Sequence, residues 1–110
     1  MDRIIEALLK LELSQTDVRV YIHLSTKGPA KAKIIICNLA MNKQQLYRSL
    51  KNLRKKGIIN SNLEYPATFM AIPFEKALKI LIKIKEEQAE KIEEKKDRLV
   101  SIWKSIPEDD

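Results

Sequence analysis

The side chains able to do chemistry are concentrated in one stretch. Residues 42–56 contain Lys43, Gln44, Gln45, Tyr47, Arg48 and Lys51, interleaved with Leu46, Leu50 and Leu53. The leucines recur at i, i+4 and i+7, the stripe that a helix turns inward, so the polar set faces out. Gln pairs bidentately with the edge of adenine, and Lys or Arg with that of guanine. Tyr47 suits a phosphate or a bracing contact. Lys55 and Lys56, at the far end, suit backbone phosphate. Other chemistries find little support. His23 is the single histidine, so no histidine-based metal cluster can form within one chain; it reads as an exposed helix residue. Cys37 is the single cysteine and reads as a small buried side chain. The two glycines, Gly28 and Gly57, both fall where helices end, which leaves no glycine-rich phosphate loop. The expectation is a protein that is not an enzyme, with no metal site and no cofactor.

Charge points the same way. Residues 18–63 hold ten basic side chains and not one Asp or Glu. The remainder carries eleven basic residues against fifteen acids, a net of −4 within a chain of net +6. Soluble surfaces normally mix the signs, so a segregated positive lobe calls for a polyanion partner. No apolar run approaches the roughly 18 residues of a membrane span, and the N-terminus does not read as a secretory signal. A lone cysteine fits a reducing compartment, with the cytoplasm as the default.

The elements that must position these groups follow from periodicity and caps. Residues 2–12 read as an amphipathic helix with Asp2 as N-cap. Ser14-Gln15-Thr16-Asp17 has capping-box spacing and opens a helix that Lys27, Gly28 and Pro29 close. Residues 30–38 read as a further helix, although the run Ile34-Ile35-Ile36 alone would also suit a buried strand. Asn42 caps the helix of residues 42–56; Arg54, Lys55 and Lys56 followed by Gly57 end it. Residues 58–60 and 68–72 read as two strands of a hairpin, the connection between them made of turn formers. Asn60, Ser61 and Asn62 belong to that turn, where Glu64 opposes contact with phosphate. Residues 74–106 hold no Gly or Pro and read as one helix, roughly 50 Å long at 1.5 Å per residue. The fold class is therefore mainly α with a small β-hairpin: a winged helix-turn-helix followed by a long C-terminal helix. Lys31 and Lys33, at the start of the preceding helix, join the DNA-facing set, and Ser14 is a further phosphate candidate.

Several segments resemble TrmB-like archaeal transcriptional regulators. Leu11-Glu12-Leu13-Ser14, Val18-Arg19-Val20-Tyr21 and Gly28-Pro29-Ala30-Lys31-Ala32-Lys33 are similar to that family's first helices. Met41-Asn42-Lys43-Gln44-Gln45-Leu46-Tyr47-Arg48-Ser49-Leu50 resembles its recognition helix, Lys56-Gly57-Ile58-Ile59 the entry to its wing, and Ala71-Ile72-Pro73 the exit. Ala40-Met41-Asn42 replaces the frequent Gly-Ile-Pro, and over 110 residues the sugar-binding domain of larger members is not expected. The resemblance implies DNA binding and dimerisation.

Two units are expected: a DNA-binding domain over 1–73 and a dimerisation helix over 74–110. Leu81, Ile84, Gln88, Ile92, Lys95, Leu99, Ile102 and Ile106 step along the latter by threes and fours, and the apolar members Leu81, Ile84, Ile92, Leu99, Ile102 and Ile106, with Trp103, form the expected pairing face. Glu75 with Lys79, Glu87 with Lys91 and Glu94 with Arg98 add i,i+4 support. The expected function is a homodimeric, sequence-specific regulator on double-stranded DNA, its effector unspecified. A winged-helix adaptor between proteins and a chromatin-type DNA coat are the alternatives. A large ratio of specific to non-specific affinity separates the regulator from the coat.

Overall fold

The computed structural model describes residues 1–107; the last three residues of the 74–110 segment lie outside it. The elements run α1 (Asp2–Lys10), α2 (Gln15–Lys27), β1 (Ala30–Lys31), α3 (Ala32–Leu39), α4 (Lys43–Lys56), β2 (Ile59–Ser61), β3 (Thr68–Ala71), α5 (Phe74–Glu94) and α6 (Lys96–Ser105). Both capping boxes form. The Ser14 hydroxyl accepts the Asp17 N–H at 3.0 Å while Asp17 accepts that of Ser14 at 3.1 Å. Asn42 and Gln45 repeat the exchange at the head of α4. These side chains satisfy amide groups that the first helical turn leaves orphaned. Met1, and not Asp2, stands at the N-cap of α1; Asp2 occupies the first turn, where its charge complements the helix dipole.

One core joins the elements. Val20 of α2, Ile35 of α3, Leu46 and Leu53 of α4 and Ile58 before β2 are completely buried. The α4 leucine stripe thus faces inward as its spacing requires. Gly57 ends α4 at φ 83°, a left-handed conformation that costs other residues a Cβ clash. Asp17 is buried and accepts a second bond, from the Asn52 amide at 2.7 Å, which ties the start of α2 to the middle of α4. The Tyr21 hydroxyl donates to the Ile72 carbonyl at 2.6 Å and anchors α2 to the strand that leads into α5. Burial raises the Tyr21 pKa, a hydrogen bond with Ser25 opposing it.

The sheet has three antiparallel strands in the order β1-β3-β2. Ala30 pairs with Phe69 and Lys31 with Thr68, while Ile59, Asn60 and Ser61 face Ala71, Met70 and Phe69. The third strand, β1, was not expected: residues 30 and 31 read as the start of a helix. A two-residue strand is too short to show alternation, and only its partner across the sheet defines it. Strand β2 lies one residue later than expected and β3 starts as expected but ends one residue early, although the Ile72 N–H still reaches the Ile58 carbonyl at 3.0 Å.

The C-terminal helix departs from expectation twice. It is interrupted at Lys95, where φ −96° and ψ 2° leave the helical region and the N–H turns back to the Ile92 carbonyl three residues earlier. Every side chain around the break is exposed, so no packing enforces α geometry there. Leu81, expected on the pairing face, lies instead in the core with Ala77. The first two turns of α5 therefore pack with the head, and Ile84 is half-buried beside them. Of the three expected ion pairs only Glu75–Lys79 forms, at 3.6 Å, and Glu6–Lys10 forms in α1, at 3.4 Å.

His23 and Cys37 exchange the environments expected of them. Cys37 is exposed on α3, because the buried position in that turn goes to Ile35. His23 is buried, its Nε2 within 3.0 Å of the Asn38 amide on α3. Desolvation, with the charge of Lys27 second, holds its pKa below the ordinary 6.5. The unfolded chain therefore binds a proton that the folded chain resists. The stability that His23 confers is complete above about pH 6.5 and declines as the pH falls through the folded value. Thermal melts at about pH 7.5 and about pH 5 should show a loss that His23→Gln reduces. An equal loss in the variant would assign it to carboxylates.

Candidate nucleic-acid interface

The outer side of α4 is open. Lys43, Gln44, Gln45, Tyr47, Arg48, Lys51, Arg54 and Lys55 are all exposed, and Lys56 is half-buried. The Asn42–Gln45 box starts the helix and the Gly57 cap stops it, so the row is held on a rigid support of defined length. Gln45 is partly committed: its Oε1 accepts the Asn42 N–H, which leaves its NH₂ group free for an outside acceptor. The Lys43 ammonium lies 5.9 Å from the centre of the Tyr47 ring, within cation–π range. That contact braces two of the expected residues against each other.

Two grooves flank the row. Ser14 and Thr16, at the N-terminal end of α2, share the first with Gln45, Arg48, Lys51, Asn52 and Lys55. An N-terminal helix turn beside three cations is a favourable setting for phosphate oxygens. Asp17 also lines it, but both its partners are internal. The second groove runs between α4 and β3, bounded by Tyr47, Lys51, Arg54, Lys55 and Phe69. Arg54, which in the sequence serves as part of the stop signal of α4, is exposed here and lines this groove with the expected residues. Lys31 and Lys33 are exposed at the N-terminal end of α3 and line neither of these grooves. Arg19, also in the acid-free stretch, donates instead to the Leu39 carbonyl at the end of α3.

At the wing tip Asn62 is structural. Its N–H donates to the Thr68 carbonyl and its Oδ1 accepts the Thr68 N–H at 2.9 Å. Leu63 and Tyr65 beside it are fully exposed. Turn formers mark this loop in the sequence, and nothing in their pattern singles out the two large side chains at its tip. Among the described residues no cluster of His, Cys, Asp or Glu is arranged to hold a metal ion, and no helix is long and apolar enough to cross a membrane.

Helices α2 to α4, a hairpin stitched to β1 and an exposed basic helix after a tight turn define the winged-helix class of DNA-binding regulators. Within that class the chain belongs to the TrmB family of transcriptional regulators: the model for sugar-specific transcriptional regulator TrmB matches residues 8–75. Solved structures share the fold at low identity. A possible transcriptional regulator from Methanosarcina mazei Go1 superposes with a TM-score of 0.61 at 16% identity, over 84% of this chain and 85% of that one. A MarR family transcription regulator superposes with a TM-score of 0.58 at 15% identity, over 94% of this chain and 73% of that one. No curated protein matches the chain.

Proposed function

We propose that the chain is a homodimeric, sequence-specific regulator that inserts α4 into the major groove of double-stranded DNA. The observation that carries this reading is the exposed row of Lys43, Gln44, Tyr47, Arg48 and Lys51 on a helix inside a 46-residue stretch without an acid. Gln44 and Arg48, near the N-terminal end of the helix, read base edges; the Gln45 amide is free to contribute a donor. Lys51, Arg54, Lys55 and Lys56 hold phosphates, with Lys31 and Lys33 reaching the flanking backbone. Tyr47 braces Lys43 and meets the sugar-phosphate chain. Tyr65 at the wing tip lies beside the minor groove. The pairing residues are those that α5 and α6 leave exposed: Ile92, Leu99, Ile102, Trp103 and Ile106. The lone, unprotected Cys37 fits a cytoplasmic setting, where thiols stay reduced.

Fluorescence anisotropy on random and selected duplexes tests the proposal. Log K should fall by about 0.9 for each phosphate neutralised per log unit of salt. A selected duplex should bind at least ~10³-fold more tightly than random sequence at fixed salt. Equal affinity for both would leave a DNA coat, and absence of duplex binding at low salt would refute the reading.

A further inference from the structure

The chain exposes too much surface for a finished globule. A compact protein of 12.8 kDa presents roughly 6,300 Å²; this one presents 8660 Å². Its radius of gyration is 18.2 Å, where a compact chain of this length would have about 13 Å. Two apolar surfaces contribute to the excess. The first is the strip Leu99, Val100, Ile102, Trp103 and Ile106 along α6 and its cap, with Trp103 75% exposed. The second is a groove of about 900 Å³ in the head, lined by Met1, Ile5 and Leu9 of α1 and its start, Val18 and Ile22 of α2, and Leu39 of α3.

The two surfaces cannot meet within one protomer. Helix α5 leaves the head at Lys85, whose ammonium donates to the Lys10 carbonyl at the end of α1. From Lys85 to Pro107 every residue is exposed. Nine further helical residues, about 14 Å, and the break at Lys95 separate that point from α6. The strip is thus carried clear of its own groove.

We propose that a second copy of this chain covers both surfaces: α6 of one protomer seats in the α1–α2–α3 groove of its partner, and the exchange is reciprocal. This rests on the homodimer reading and names the surface that receives the pairing residues. A twofold axis makes the two contacts identical, so each protomer gives a helix and a groove. The area suffices: a stable interface removes about 800 Å² from each partner, and the excess here, roughly 2,400 Å² per chain, is about three times that. Trp103 is the natural anchor, since large aromatic side chains seated in pockets dominate interface energies.

Site-directed cross-linking of the full-length chain tests it. In a Cys37→Ser background, Leu9→Cys places a thiol in the groove and Ser101→Cys places one on α6. The two variants, mixed, exchanged and treated with a short bismaleimide, should give a covalent dimer as the main product. Each variant alone should give little. Abundant Ser101→Cys self-cross-linking without mixed product would mean that α6 pairs with α6; it would overturn the groove contact and leave the homodimer standing. A sedimentation mass of one chain for the Cys37→Ser protein would overturn both. In the otherwise native chain, Leu9→Lys should raise the dimer dissociation constant at least ~10-fold with the helical circular dichroism unchanged. An unaffected dissociation constant in that variant would also overturn the proposal.

Discussion

The double substitution Arg48→Glu with Lys51→Glu should lower duplex affinity by about 10²–10⁴-fold, each side chain contributing roughly 1–3 kcal/mol to contact with a base or phosphate. Reversal, unlike truncation, adds repulsion from the same phosphates. Both residues are exposed and neither stabilises the core, so the melting temperature should change little. The control changes net charge equally elsewhere: Lys83→Glu with Lys91→Glu, both exposed on α5 and outside the acid-free stretch. If the control weakens binding as much as the α4 pair, overall charge is responsible and α4 is not the contact. Gln44→Ala is expected to act differently, eroding preference among duplexes more than affinity for all of them.

What could be read from sequence, and what could not, divides by the range of the interactions. Ser14 with Asp17, Asn42 with Gln45 and the cations before Gly57 are local signals. They bound α2 and α4 correctly because a cap concerns neighbours three residues apart. The Leu46, Leu50 and Leu53 stripe likewise dictated which side of α4 is open. Strand β1 was invisible because Ala30 and Lys31 become a strand only through Phe69 and Thr68. His23 and Cys37 were read the wrong way round because burial depends on how α3 docks on α2, which places Asn38 against the imidazole. Leu81 looked like one more step of a long seam; only the seating of α5 on the head shows that it belongs to the core. The break at Lys95 has no Gly or Pro to announce it. The set of outward α4 side chains was legible almost in full, whereas their sharing of a groove with Ser14 and Thr16 needed the fold.

Removing residues 86–110 should separate the two DNA heads without unfolding either. The cut keeps Ala77 and Leu81 in the core and leaves Lys85 to cap α1. A cut after Pro73 would instead strip both residues from the core, and loss of one buried leucine side chain alone costs about 2–5 kcal/mol. The 1–85 fragment should therefore melt cooperatively, whereas 1–73 should not. On DNA, a twofold dimer presents two α4 helices and prefers an inverted repeat. Half-site centres about 10 bp, or roughly 34 Å, apart would place both helices in successive major grooves on one side of the duplex. If the intact protein is the proposed dimer, its second head should bind at the high effective concentration set by the first, an advantage of about 10²–10⁴-fold without any new contact. The 1–85 fragment loses that advantage and should bind a whole site hardly better than a half-site. Mobility shifts of both proteins on whole and half sites measure the ratio directly, with circular dichroism confirming the fold of the fragment. A folded 1–85 fragment that binds the whole site as tightly as the intact chain would release α6 from any part in DNA binding. The protein-interaction reading of that helix would then move to the front.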